Sequence, residues 1–395
     1  MTNTVYRVYS EKLGGSTAST FIGNTGDLFY DPATGALRLS DGTSQGGTDP
    51  SGIPVTPNDY PVTNNFYVDS KRTDTYTATG SIIKPFLTIA AAQAAIEARI
   101  AAGTLLSGEV NPIFIVIQSS ITENVTLTRG HVFLIGNQGS IHTPIYLSGT
   151  VTINGSNATT SALDANHFAI VGLAIVAASQ KAAIYFTGAN AQRLMVKDLW
   201  LTASGNQTGT TPLTDAGGYG ILADNTGVRA SDGKLSVIHG SDVKVSHTGT
   251  GDVYCFKISK GTADFTNVET SGATQVGAVS SGASLAFANS ELNANGDVCV
   301  EAYGTGTLTV TNSSITNSAA NSNGIRLNQT GSTAIIGNVA FQIPTGTGRA
   351  VYGVAGSVLL YGSLNFIPFT SGAASNKVVS TAVTALPIPS TFTTG

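Results

Sequence analysis

The stretches Gly261-Thr-Ala-Asp-Phe-Thr-Asn-Val-Glu-Thr, Ser284-Leu-Ala-Phe-Ala-Asn-Ser-Glu-Leu, Thr307-Leu-Thr-Val-Thr-Asn-Ser-Ser-Ile, Thr333-Ala-Ile-Ile-Gly-Asn-Val-Ala-Phe and Ser357-Val-Leu-Leu-Tyr-Gly-Ser-Leu-Asn-Phe are variations on one phrase. Aligned on a polar bend residue, Asn267, Asn289, Asn312, Asn338 and Ser363, they return at steps of 22, 23, 26 and 25 residues. Two residues before each bend stands Phe265, Phe287, Val310, Ile336 or Tyr361. Three residues after it, in the last four copies, stands Leu292, Ile315, Phe341 or Phe366. Between bends a second apolar phrase recurs as Gly277-Ala-Val, Val298-Cys-Val, Gly324-Ile-Arg-Leu and Ala350-Val-Tyr-Gly-Val.

Each copy holds several short alternating strands, and none can bury its apolar face alone. Coiling the chain so that each copy lies on the one before pairs the strands in parallel at about 4.8 Å per layer and merges their inward side chains into one core. Asn suits the bends because it tolerates left-handed backbone angles. The expected fold is all-β, a right-handed parallel β-helix over residues 66–376.

Composition agrees. Charged residues make up only 11% of the 395-residue chain, against about 25% in typical soluble proteins, and Thr, Ser, Asn and 46 glycines fill the gap. A net charge of −4 without any Lys/Arg cluster argues against a nucleic-acid partner. The longest apolar run, Phe168 to Ala178, is too short to insert in a membrane, and the expected setting is soluble, synthesised in a cytoplasm. Cys255 and Cys299 lie in apolar strand phrases and read as buried thiols.

Residues 1–47 read as a separate unit. Gly26-Asp-Leu-Phe-Tyr-Asp-Pro-Ala-Thr-Gly-Ala-Leu-Arg-Leu-Ser-Asp-Gly is a hairpin with Leu28/Tyr30 and Leu37/Leu39 on one face and a turn at Asp31–Gly35. So few residues make no sizeable core, so the unit is expected to pack on another copy or another protein. Pro50, Pro54, Pro57 and Pro61 make residues 48–65 a stiff neck. Thr88 is a candidate N-cap, Phe86, Ile96 and Ile100 an apolar stripe, and Gly103 a C-terminal stop, so one helix is predicted as the lid of the solenoid's open end. Residues 377–395 form an apolar, Pro-broken tail suited to covering the other end.

The hairpin wording resembles the N-terminal modules of phage tail-fibre and other virion proteins, above all of marine cyanobacterial phages. Phe66-Tyr-Val-Asp-Ser, Lys84-Pro-Phe-Leu-Thr-Ile with its Ala-rich helix, the aliphatic strand after Pro112, and Thr122-Glu-Asn-Val-Thr resemble the opening of the pectate-lyase-like β-helix family, which includes phage tailspikes, polysaccharide lyases and hydrolases. These resemblances imply a homotrimeric tail fibre or tailspike in the virion, docked to a tail or other virion protein through residues 1–47, with host surface polysaccharide as the partner. Activity varies within such folds, so a polysaccharide depolymerase and a non-receptor head fibre or tail adaptor remain open.

Hydrolysis needs two carboxylates, about 5 Å apart for retention or 6.5 to 9.5 Å for inversion. Glu269 and Glu291 stand two residues after their bends, and Asp242 takes the same place if Gly240 is the preceding bend. The three form an expected outward column of catalytic candidates, in which mutual repulsion favours one shared proton, as a general acid would carry. Trp200 and Tyr219 flank a turn-rich insertion at 205–217 and are candidate sugar platforms. His167, His239 and His247 are scattered, with no metal spacing, so neither a metal nor a cofactor is expected. Lys244 beside Asp242 is a faint hint of lyase chemistry.

Overall fold

The structure, a computed structural model, describes residues 8–9, 21–22, 24, 28–31, 36–40, 42–43, 45, 64–108, 111–136, 144–155, 166–177, 181–188, 193–204, 218–224, 236–248, 254–344, 349–362, 364–366 and 384–387. Residues 48–63 of the neck, the Pro32–Gly35 turn, Ser363, the turn-rich insertion at 205–217, nearly all of a second turn-rich stretch at 154–166 and most of the C-terminal tail lie outside them. The chain divides into two units, residues 1–63 with 76–85, and residues 64–75 with 86–395.

In the first unit Leu28–Asp31 pairs antiparallel with Ala36–Leu39, Leu28 opposite Leu39 and Tyr30 opposite Leu37. This is the predicted hairpin register. A further strand, Val8–Tyr9, adds in parallel to Leu28–Asp31. Phe29 is buried, with the Phe21 ring edge-on at 4.9 Å.

The second unit is a parallel β-helix. Its coils form a nine-stranded sheet, running from Val125–Leu127 to Val351–Gly353, and a 17-stranded sheet. Every strand pair in these two sheets is parallel. Long strands such as Val237–Thr248, Thr262–Ser271, Thr307–Asn317 and Thr333–Gln342 cross a one-residue bend in the middle. At that bend Asp198, Asp242, Asn267, Asn289, Asn312 and Asn338 all have φ between 48° and 56°. Their amides link the layers, Asn267 Nδ2 donating to Asp242 Oδ1 at 3.0 Å and Asn338 Nδ2 to Asn312 Oδ1 at 3.1 Å. The predicted bend residues therefore serve both as left-handed hinges and as rungs.

The core is the predicted column. Phe265, Phe287, Val310 and Ile336 are in register on successive coils and all buried. Leu292, Ile315 and Phe341 form a second buried column beyond the bend. Full burial of each such side chain contributes about 1.5–3 kcal/mol. Two glycines make room for the rings. A Cβ on Gly240 would stand 2.2 Å from Phe265 Cδ1, and one on Gly277 would stand 3.0 Å from Leu285 Cδ2. In that space Phe256 packs on Phe265 at 4.6 Å and on Phe287 at 5.4 Å. Gly240 is thus an inward position and not a bend, which corrects the register read from sequence at that coil. Cys255 and Cys299 are buried free thiols, and burial pushes both well above the ordinary thiol range.

The helix spans Ile89–Ala101 and is capped as predicted by Thr88, whose Oγ1 accepts from Ala91 N at 3.1 Å. Glu123 reaches back from the first coil, its carboxylate accepting Ile89 N and Ala90 N, each at 2.8 Å. These bonds satisfy N–H groups that no helix can satisfy internally. Gln93 Nε2 donates to Thr126 O at 2.8 Å, and Thr126 lies in the end strand of the nine-stranded sheet. The helix therefore covers an otherwise open edge, with Ile89, Ala92 and Ile96 buried and Ile100 half-buried. Gly103, at φ 70°, ends it. Toward the other end, Thr384–Pro387 adds in parallel to Val358–Tyr361. Among the described residues no helix is long and apolar enough to cross a membrane.

Candidate functional site

Strand alternation after the bend directs one residue per coil outward and stacks these residues in a row. In register they are Tyr146, Ala174, Trp200, Lys244, Glu269, Glu291, Ser314 and Ala340. Trp200 is 54% exposed and Tyr146 42%. The two rings are two layers apart, about 9.6 Å at the usual strand spacing, and Ala174 between them is small and buried. Beside this row runs a second outward column, with Thr202, Ser246 and Ser271 on consecutive coils followed by Asn293, Thr316 and Gln342. The face thus offers two aromatic platforms, a charged segment and a border of hydroxyl and amide groups.

Glu269 and Glu291 are direct register partners on adjacent coils, as the sequence predicts. Asp242 is not in their row. It is the bend residue of its coil, at φ 56°, and Asn267 is its neighbour in the ladder. The place expected for Asp242 is taken by Lys244, whose Nζ lies 2.7 Å from Glu269 Oε1. The cause is the Gly240 register described above: an inward glycine imitates a bend residue in sequence, while Asp, like Asn, can itself adopt the left-handed angles. Both glutamates stand on an open sheet face, which suits contact with a ligand's hydroxyls better than acid–base chemistry in a water-excluding cleft.

The structure separates the two predicted sugar platforms. Trp200 lies on the 17-stranded sheet and faces solvent, whereas Tyr219 precedes the Ile221–Ala223 strand of the nine-stranded sheet and is fully buried. Tyr219 stacks on Tyr254 with centroids 6.3 Å apart and carries the Lys257 ammonium 5.0 Å from its ring centroid. Buried in this way it offers no face to a sugar. Tyr146, which the sequence reading missed, is the second exposed ring, and only its register with Ala174 and Trp200 could have revealed it.

A second cluster lies on the outer side of the nine-stranded sheet, where Lys257, Ala278, Glu301, Arg326 and Tyr352 are in register. Glu301 is fully buried. Its Oε1 accepts the hydroxyls of Tyr254 and Tyr303, both at 2.5 Å, and its Oε2 accepts Arg326 Nε at 2.9 Å and Nη2 at 2.6 Å. Arg326 Nη1 also reaches Asp297 Oδ2 at 2.8 Å. Burial, then the adjacent Glu301 charge, pushes the Tyr254 phenol far above its ordinary range and that of Tyr303 up to about 12. Burial opposes the charge on Arg326, but Glu301 and Asp297 outweigh it and keep the guanidinium firmly protonated. With all four contacts committed within the protein, Glu301 is a structural hub. The phrase Val298-Cys-Val-Glu-Ala reads as plain apolar strand, so the hub escaped the sequence reading.

On the part of the 17-stranded sheet that precedes the bend, His239 Nδ1 pairs with Asp264 Oδ2 at 2.7 Å, both side chains about half exposed. Among the described residues no three His, Cys, Asp or Glu side chains are placed to hold a metal ion. No family model matches the chain, and no curated protein matches it. Among solved structures, pectin methylesterase PemA from Erwinia chrysanthemi is similar at 15% identity over 82% of this chain and 93% of that one, with a TM-score of 0.38.

Proposed function

We propose that this chain is a phage tail fibre or tailspike that binds host surface polysaccharide along the Tyr146–Trp200–Lys244–Glu269–Glu291 row. The observation that carries the reading is the exposed Trp200 ring, aligned with an exposed Tyr146 two layers away on the same sheet. A large aromatic ring left in water costs hydrophobic free energy that a bound partner recovers, and sugar C–H faces stack on such rings. An extended glycan laid along the helix axis can meet both rings with alternate sugars. The virion setting draws support from the wording of residues 26–42, and in it residues 1–47 dock to another virion protein and the fibre is a homotrimer.

The test is retention on immobilised host envelope polysaccharide, with Trp200→Ala and Tyr146→Ala as variants and solution mass as the measure of the trimer. Loss of retention in both variants supports the reading; a monomer that is absent from particles, or equal retention of all three proteins, counts against it. Labelled protein found on the head or collar, without effect on adsorption, favours a non-receptor fibre. A depolymerase is the second reading, favoured by the register of Glu269 with Glu291. It requires new reducing ends from the glycan that disappear in Glu269→Gln.

A further inference from the structure

The charge distribution around the aromatic row bears on the chemical class of its ligand. At the bend beside it stand Asp198 and Asp242, both exposed, and within it Glu269 and Glu291, also exposed. Against these four carboxylates the row carries one ammonium, Lys244, already paired with Glu269. Lys197 and Arg193, exposed cations of the same strand, precede the bend and belong to the adjacent face, in register with Ser241 and Val237. Among the described residues no arginine stands on the Trp200 face, so the planar fork that grips carboxylate, sulfate or phosphate groups is missing there. The flanking column supplies what a neutral ligand needs. Thr202, Ser246, Ser271, Asn293, Thr316 and Gln342 are hydroxyls and amides that both donate and accept, and each carboxylate can accept from a pair of neighbouring sugar hydroxyls.

From this we infer that the row takes an uncharged polysaccharide, lying parallel to the helix axis with sugars stacked on Tyr146 and Trp200 and their hydroxyls bonded to Lys244, Glu269 and Glu291. A polyuronate or sulfated chain laid on the same path would bring its anions onto the carboxylates. This inference deepens the polysaccharide reading above and rests on it.

Affinity electrophoresis of the whole chain through gels containing a neutral β-glucan, a neutral galactomannan, polygalacturonate or alginate tests it, at low salt and at about 0.15 M salt, where exposed charges are screened beyond about 8 Å. The expected result is retardation by a neutral glycan that salt leaves unchanged, no retardation by the polyuronates, and an affinity lowered about tenfold or more in Trp200→Ala. Retardation by the polyuronates alone overturns the inference and leaves the broader reading standing. Retardation by a neutral glycan that Trp200→Ala does not weaken moves binding off this row and overturns it too. A Trp200→Ala protein that changes its mass in solution instead makes the row a contact between copies. Retardation by none of the four, combined with no retention on envelope polysaccharide, removes the inference and the proposed function together.

Discussion

Separating Arg326 from Glu301 should destabilise the β-helix far more than replacing both. Glu301 is fully buried and receives two hydrogen bonds from the guanidinium, at 2.9 and 2.6 Å. Each charge-assisted bond is worth about 1.5–3 kcal/mol net. Arg326→Leu removes both and strands a carboxylate held only by two phenols, for which the expected loss is about 3–5 kcal/mol. The outer partner of Arg326 changes little, because Asp297 is exposed and a surface pair contributes at most about 1 kcal/mol. Glu301→Leu leaves the opposite orphan, a half-buried guanidinium and two phenols without their acceptor, at a similar cost. In the double variant no charge is stranded, so its loss should fall short of the sum of the single losses by about 2–3 kcal/mol.

Because a solenoid need not unfold in one step, urea melts should be read beside amide exchange in the Val298–Ala302 and Asn323–Leu327 strands, which carry the pair in register. The expected pattern is loss of protection there in each single variant and partial recovery in the double. Additivity within about 0.5 kcal/mol would refute the reasoning, as would single variants as stable as the parent.

The phenols of the same hub give an alkaline signature: folded-state values raised above the ordinary phenol value near 10, that of Tyr303 to about 12, contribute stability that is complete below about pH 10 and lost as pH rises beyond it. Each phenol contributes a slope of about 1.4 kcal/mol per pH unit, so urea midpoints should fall steeply between pH 10 and 11, and Tyr254→Phe with Tyr303→Phe should flatten the fall. Glu123→Ala should cost about 1–3 kcal/mol, since it removes the acceptor of the Ile89 and Ala90 amides; unchanged exchange at those two amides would show the cap to be idle. Gly240→Val should lose about 1–3 kcal/mol or more through collision with Phe265, and a second change, Phe265→Leu, should restore part of it; a double variant no better than the first would place the strain elsewhere.

What could be read in advance follows from how tightly each position is constrained. Phe265, Phe287, Val310 and Ile336 fill equivalent places in one continuous core, so burial demands a large apolar residue in every layer and periodicity becomes visible. Asn267, Asn289, Asn312 and Asn338 are legible for the same reason, since few residues accept their backbone angle. Glu123 appeared only as part of a familiar run of letters. Its work on the helix thirty-odd residues earlier is a tertiary contact that no local spacing reveals.

Outward columns carry no such demand from layer to layer, so their membership depends entirely on locating each bend. A two-residue slip at Gly240 replaced Lys244 with Asp242 and turned an ion-paired segment into an apparent acidic triad. The same freedom is informative where it is not used. An outward position on an isolated fibre needs nothing better than Ser or Thr, which the flanking column of Thr202, Ser246 and Ser271 supplies. Trp200 and Tyr146 depart from that pattern at a cost in exposed apolar area, two layers apart and over a small alanine. Folding gives no reason for that departure, so its reason should lie in what the surface binds, and truncating either ring should leave the melt unchanged while weakening the hold on glycan.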